Sequence, residues 1–136
     1  MIVAMSVKVL IVEDEMLVAM DLEFIVSNAG YQVVGIAPDR LAVESLGEAP
    51  QVALVDLNLR DGLTGPAIAR DLGEAVGAAI IFITANPNQI GDPPTGAIGY
   101  VQKPFTPEAV LAAIEWAAGQ QSRRPHGLHL FHQHLH

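Results

Sequence analysis

The chain has 136 residues, of which 51% are hydrophobic and 16% charged, and this length and composition predict one domain with a well-formed core. Asp and Glu number 15 against 7 Lys and Arg, so the formal net charge of −8 excludes a direct nucleic-acid binder that relies on a basic surface. The absence of Cys excludes disulfides and thiolate chemistry and fits a cytoplasmic protein, and no apolar stretch is long enough to span a membrane.

Short apolar runs alternate with longer amphipathic stretches along the chain. Runs rich in β-branched residues are typical of buried strands, and apolar residues spaced three or four apart are typical of helices. In chain order the predicted elements are a strand at 7–12, a helix at 14–29, a strand at 31–36, a helix at 38–46, a strand at 52–55, a helix at 65–73, a strand at 79–83, a strand at 98–102 and a helix that begins at 106–108.

The first and last predicted helices each have an apolar face that we expect to pack against the sheet. The residues expected to point inward are Leu17, Met20, Phe24 and Ile25 in the first helix and Val110, Leu111, Ile114 and Ala117 in the last.

The segment between the fourth and fifth predicted strands, residues 86–97, is unfavourable for a helix. It contains Pro93 and Pro94, and an interior helical Pro costs roughly 3 kcal/mol. Ile90 is nearly the only large apolar side chain in it that can anchor a buried face. The sequence therefore predicts that a helix here is absent or reduced to about one turn.

Strands that alternate with helices predict a parallel sheet with helices on both faces. We expect an α/β fold of the flavodoxin-like, doubly wound type, with five parallel strands in the order 2-1-3-4-5, a (βα)5 chain order and a shortened or missing fourth helix. We assign residues 1–6 to a short N-terminal extension, 7–120 to the domain and 121–136 to a disordered tail. All five His lie in that tail, and His-rich tracts also bind metals.

Three acidic residues follow two of the predicted strands. Glu13 and Asp14 come after the first strand, and Asp56 comes after the third. If these strands are parallel neighbours, the three carboxylates meet at the edge where open α/β sheets place their functional sites. Carboxylates held this close remain ionised together only with a cation, and an all-oxygen site suits Mg²⁺, or alternatively Mn²⁺. Taken alone, each has a plainer interpretation, such as Asp14 capping the helix that follows.

With Thr84 after the fourth strand and Lys103-Pro104-Phe105 after the fifth, the chain resembles the receiver domain of two-component response regulators over roughly residues 7–120. Each residue alone is a weak signal, but the set is specific because every member lies at a strand end in the right order. The run from Asp56 to Gly65 resembles stand-alone receivers, which implies a single-domain protein without an output domain.

The resemblance implies a role for each of these residues. Asp56 is the expected phosphoacceptor, attacking a phosphohistidine on a sensor histidine kinase or phosphotransfer protein. Glu13, Asp14 and Asp56 are the expected Mg²⁺ ligands, together with the backbone carbonyl of Asn58.

Further roles come from the same resemblance. Lys103 and Thr84 are expected to contact phosphoryl oxygens, and the Lys103–Pro104 bond is expected to be cis. Tyr100 is the expected aromatic switch, with a half-buried strand residue as the plainer interpretation. Asn58 and Asn86 flank the pocket and are expected to tune dephosphorylation.

The sequence thus predicts a cytoplasmic signalling domain rather than an enzyme, a monomer or weak dimer that switches a surface for a downstream protein. One alternative is a receiver fragment of a larger hybrid kinase or regulator. A flavodoxin-type cofactor binder is disfavoured because Glu13-Asp14-Glu15 occupies the position of its phosphate loop. A Mg²⁺-dependent phosphohydrolase with an aspartyl nucleophile is disfavoured because Asn58 occupies the position of its second Asp.

Overall fold

The structure, a computed structural model, describes residues 6–120 and 126–131. In these residues six strands form one sheet: β1 (Lys8–Val12), β2 (Gln32–Ala37), β3 (Val52–Val55), β4 (Ala79–Thr84), β5 (Ala97–Gln102) and β6 (His129–Leu130). Four α-helices accompany them: α1 (Met16–Asn28), α2 (Arg40–Glu44), α3 (Gly65–Val76) and α4 (Pro107–Ala117). No helix in this part of the chain is long and apolar enough to cross a bilayer.

The sheet order is β2-β1-β3-β4-β5-β6, and the first five strands are parallel. The predicted order 2-1-3-4-5 is therefore confirmed. Strand β3 is apolar along its whole length and its side chains are almost fully buried, as expected for a central strand with helices on both faces of the sheet. Because β1 and β3 are parallel neighbours, their carboxyl ends lie side by side at one edge of the sheet.

The inward face of α1 differs from the prediction. Its buried residues are Ala19, Leu22, Ile25 and Val26. Ile25 was predicted correctly, but Leu17, Met20 and Phe24 are 82%, 54% and 68% exposed. The helix is apolar on two sides, so periodicity alone could not decide which side faces the sheet. The small Ala19 and the β-branched Val26 lie on the side that packs closely.

The other helices differ from the prediction mainly in length. Helix α2 is shorter than predicted and begins after Asp39, whose side chain accepts a hydrogen bond from the Ala42 N–H at 2.9 Å. Helix α3 continues past Gly73 to Val76, and Gly77 ends it with a φ of 68°. Gly73 is a packing residue rather than a helix stop, because a Cβ there would lie 2.6 Å from the Thr95 carbonyl oxygen.

Helix α4 begins as predicted. Thr106 caps it by accepting a hydrogen bond from the Ala109 N–H at 3.1 Å. The inward orientation of Val110 and Ile114 is confirmed, whereas Leu111 and Ala117 are only partly buried.

The segment between β4 and β5 contains one short 3₁₀ turn, Pro87–Gln89, in place of a helix. The predicted loss of the fourth helix is therefore confirmed. Ile90 anchors the segment, and its side chain is only 6% exposed.

The tail differs from the prediction. Residues 126–131 return to the sheet, and β6 pairs antiparallel with β5. Leu128 is 2% exposed and packs in the core between α4 and β5. The predicted disorder of 121–136 is thus wrong for 126–131, and the remainder of that range lies outside the described residues.

Candidate functional site at the carboxyl edge of the sheet

Two carboxylates from adjacent strands meet one lysine at this edge. Glu13 follows β1 and Asp56 follows β3, and their residues are 2% and 7% exposed. The Lys103 ammonium, which follows β5, donates to Glu13 Oε1 at 2.8 Å and to Asp56 Oδ2 at 3.0 Å. These contacts join residues that are far apart in the sequence, with 90 positions between Glu13 and Lys103.

Burial perturbs the acid–base behaviour of this group. Loss of solvation is the main effect that raises the pKa of Glu13, and the nearby Asp56 carboxylate adds to it. The hydrogen bond from Lys103 lowers this pKa, and the net value is about 7. Burial lowers the pKa of Lys103, but its hydrogen bonds to Glu13 and Asp56 outweigh this effect and leave that pKa raised. Lys103 is therefore a permanent cation at neutral pH.

The loop after β3 fixes the direction of the Asp56 carboxylate. Its Oδ1 accepts a hydrogen bond from the Leu57 N–H at 2.7 Å, which leaves Oδ2 toward Lys103. Leu57 is fully buried, so the loop is anchored in the core on both sides of the carboxylate. Gly65 permits the tight path of the loop, because a Cβ there would lie 2.1 Å from the Asp56 carbonyl oxygen.

The site opens into a recess of about 310 Å³. Its lining consists of Asp14, Glu15, Asp56, Asn58, Leu59, Ala85, Asn86 and Lys103. The recess therefore contains several of the predicted site residues, including Asp14, Asn58 and Asn86. Asp14 is exposed at its rim, whereas Glu13 lies buried beneath it.

The donor atoms at this edge fit a hard divalent cation. One carboxylate oxygen from each of Glu13, Glu15 and Asp56 lies within 4.8 Å of the others. Lys103 is the cation that contacts all three of these residues, with its ammonium 3.6 Å from Glu15. Three carboxylates against one ammonium leave an excess of negative charge, and oxygen donors are those that Mg²⁺ prefers.

Thr84 lies below the recess rather than in its lining. It is fully buried, and its hydroxyl oxygen accepts a hydrogen bond from the Asn86 N–H at 3.0 Å. Its carbonyl accepts from the Lys103 N–H at 2.9 Å, and the Lys103–Pro104 bond is cis, as the resemblance implied. Thr84 thus connects the segment after β4 with the lysine loop after β5.

Tyr100 lies away from the recess. Its ring stacks on that of His129, with the centroids 4.7 Å apart and the planes at 12°. The plainer interpretation of a half-buried strand aromatic describes this position, while the switching role stays a prediction.

Two residues of this edge were missed by the sequence reasoning. Glu15 joins the carboxylate group, and its place in the acidic run 13–15 was the available signal. Gln89 accepts a hydrogen bond from the Asn58 side-chain amide at 2.7 Å, which links the 3₁₀ turn to the loop after β3. No pattern in the sequence pointed to this second contact.

Comparison with known proteins identifies similar chains. The family model for the response regulator receiver domain matches residues 9–115. Phyllosphere-induced regulator PhyR of Methylorubrum extorquens is 38% identical over 131 residues, and the alignment covers 92% of this chain and 49% of that protein. The chain thus spans about half the length of this curated relative.

Solved structures agree with the sequence comparison. The solution structure of the PhyR receiver domain of Erythrobacter litoralis has a TM-score of 0.74 at 35% identity, covering 88% of this chain and 95% of that one. A crystal structure of a mutant of the anti-anti-sigma factor PhyR of Bartonella quintana has a TM-score of 0.72 at 36% identity, covering 83% and 48%.

Proposed function

The chain belongs to the response regulator receiver domain family of two-component signalling, and on this basis we propose that it accepts a phosphoryl group on Asp56 from a phosphohistidine of a sensor kinase or phosphotransfer protein. The observation that carries the proposal is the Lys103 ammonium bridging Asp56 and the buried Glu13 at the open recess. The Asp56 carboxylate, a fixed positive charge and a set of oxygen donors lie together there.

The residues have complementary tasks in this reaction. An Asp56 carboxylate oxygen attacks phosphorus, the phosphorus–nitrogen bond of the donor breaks, and its electron pair returns to the imidazole, which takes up a proton. Lys103 stays within reach of the transferred oxygens as a point charge. Hydrolysis of the acyl phosphate returns the carboxylate and releases inorganic phosphate.

Mg²⁺ would be held by Asp14, Asp56 and Glu13, with the Asn58 carbonyl completing the protein ligands. When bound, the ion supplies positive charge that offsets the charge on the transferring oxygens. The support for this assignment is the carboxylate excess over Lys103 and the opening of the recess onto Asp14 and Asn58. Asn58 and Asn86 line the same recess as Asp56, so we infer that they influence the lifetime of the phosphate.

The chemistry is tested with acetyl phosphate and Mg²⁺. We expect intact-mass analysis to show the addition of one phosphoryl group, stable in acid and labile in base. Asp56→Asn removes the nucleophile with little change of shape and should abolish the addition, whereas Asp92→Asn, in the exposed segment before β5, should label like the wild type. Full labelling of Asp56→Asn would refute the assignment.

The approach of a protein donor is indicated by a second recess, of about 410 Å³, beside Lys103. Val18, Pro104 and Phe105 contribute to its apolar lining, and it shares Ala85 and Lys103 with the first recess. The exposed apolar side of α1 extends from the same edge. We infer that a helical protein carrying the phosphohistidine lies along α1, because a donor on this side reaches Asp56 without displacing any strand.

Comparing two donors tests this surface. Leu17→Ser, at a position that is 82% exposed, should slow transfer from a phosphohistidine protein and leave labelling by acetyl phosphate unchanged. Leu41→Ser on α2, 72% exposed, is the matched control and should affect neither donor. Equal rates for Leu17→Ser and wild type with the protein donor would place the docking surface elsewhere.

A further inference from the structure

Two stretches of chain border the recess of the candidate site, and one hydrogen bond joins them. Asn58 lines the recess from the loop after β3, and Asn86 lines it from the segment after β4. The Asn58 Nδ2 amide donates to Gln89 Oε1 at 2.7 Å. Within residues 6–120 and 126–131, no other hydrogen bond connects this loop with this segment.

Gln89 does not line the recess, but its backbone is fixed close to it. The Gln89 N–H donates to the Asn86 carbonyl at 3.0 Å and helps to close the 3₁₀ turn. Ile90, the next residue, is 6% exposed and belongs to the same buried cluster as Leu59, which follows Asn58 in the sequence. The two side chains that form the hydrogen bond therefore extend from backbone that is anchored in the core.

The contact with Gln89 distinguishes the two ends of the Asn58 amide. Its Nδ2 is a donor and is engaged by Gln89, whereas its Oδ1 is purely an acceptor. In the part of the chain that the structure describes, Asn58 Oδ1 accepts no hydrogen bond, so it is available to a water molecule in the recess. Holding Nδ2 restricts the rotation of the amide and thereby fixes where this acceptor lies.

We propose that Gln89 is a positioning residue for hydrolysis of the Asp56 acyl phosphate. It holds the Asn58 amide so that the amide oxygen accepts a hydrogen bond from the attacking water, and this inference rests on the proposed phosphorylation of Asp56. The water oxygen attacks phosphorus, and the phosphorus–oxygen bond to Asp56 breaks. The electron pair returns to the carboxylate, and the protons of the water leave with the inorganic phosphate. Asn58 takes up no proton in this step and only orients the water.

The consequence of the contact falls on orientation rather than on stability. Asn58 and Gln89 are both exposed, and a hydrogen bond between exposed groups replaces similar bonds to water. Losing it releases the Asn58 amide into other orientations. The net strength of one such bond corresponds to about a fivefold change in the occupancy of the productive orientation.

The experiment follows the decay of the phosphorylated full chain by intact mass, in Mg²⁺ and after removal of acetyl phosphate. Gln89→Met keeps the length of the side chain and removes the acceptor. It should slow the decay about fivefold and leave the rate of labelling by acetyl phosphate unchanged. Gln89→Glu retains an acceptor oxygen and should restore most of the decay rate. Asn88→Met, in the same turn and also exposed, is the matched control and should decay like the wild type.

A double-mutant cycle separates positioning from a general effect on the loop. In an Asn58→Ala background, Gln89→Met should cause no further change in decay, because the amide that it positions is gone. The unphosphorylated protein gives a second measurement. The NMR signals of the Asn58 side-chain amide should shift in Gln89→Met and stay in place in Asn88→Met.

Decay of Gln89→Met at or above the wild-type rate would overturn the proposal. The same slowing by Gln89→Met with and without the Asn58 side chain would overturn it too. A wild type that takes up no phosphoryl group would refute the proposed function, and this inference with it. A phosphorylated wild type whose decay does not depend on Gln89 would refute this inference alone.

Discussion

Replacing Glu13 by Gln is expected to stabilise the metal-free protein at pH 8 and not at pH 5. The folded state holds a proton on Glu13 up to about pH 7, whereas an ordinary Glu loses it near 4.5. Between these values the folded state binds more protons than the unfolded state, so the free energy of unfolding falls as the pH rises. Above pH 7 the buried negative charge of Glu13 lowers the free energy of unfolding by its full amount, and below pH 4.5 it does not lower it.

The size of the effect follows from that difference in pKa. The gap between 4.5 and about 7 corresponds to about 3–4 kcal/mol at most. Gln is uncharged and nearly the same size as Glu, but its single side-chain oxygen cannot accept both of the hydrogen bonds that the Glu13 carboxylate accepts. Glu13 accepts from Lys103 at one oxygen and from the Glu15 N–H at the other, at 3.1 Å. Losing one hydrogen bond costs about 1 kcal/mol, so we expect a net gain of about 1–2 kcal/mol at pH 8.

Urea unfolding in EDTA at the two pH values measures this difference. At pH 5 the wild-type carboxyl is already protonated when folded, so Glu13→Gln should be neutral or slightly destabilising. Glu23→Gln, on the exposed side of α1, is the matched control and should show no such difference. A Glu13→Gln variant that is less stable than wild type by the same amount at both pH values would refute the reasoning.

Two further predictions concern the metal and the segment after β4. Millimolar Mg²⁺ should raise the melting temperature, because it relieves repulsion among the carboxylates and binds only the folded state. The Asp14→Ala variant should lose most of this gain. A wild-type protein whose melting temperature responds to neither Mg²⁺ nor EDTA would contradict the metal site. The amides of Gly91, Asp92, Thr95 and Gly96 should exchange much faster than those of β4, because the segment has one short 3₁₀ turn. Exchange at the rate of β4 would contradict this.

The position of the site followed from simple rules about parallel sheets. Glu13, Asp56 and Lys103 are each polar residues that directly follow an apolar strand, and the strand order places those ends together. The side-chain contacts did not follow in the same way. Whether Asp14 or Glu15 lies nearer the buried pair depends on how the chain turns into α1, and spacing along the sequence does not specify that turn.

The inward face of α1 could not be predicted for a different reason. Periodicity identifies a buried side only when the other side is polar, and α1 has Leu17, Met20 and Phe24 opposite the residues that face the sheet. Apolar side chains exposed on a helix indicate a second surface that the isolated chain does not cover. The side of α1 that was wrongly predicted to face the sheet is therefore the side on which we infer that the phosphodonor binds.

The tail was misjudged because its five His suggested a solvated segment. Two other signals pointed the opposite way. Pro93 and Pro94 prevent a helix over the face that contains Phe82 and Tyr100, so another part of the chain has to cover these rings. Gly99, in the middle of an apolar strand, leaves room for a backbone. The missing helix and Gly99 are therefore linked. Without the helix the edge of β5 is uncovered, and Gly99 leaves space for the tail segment that covers this edge.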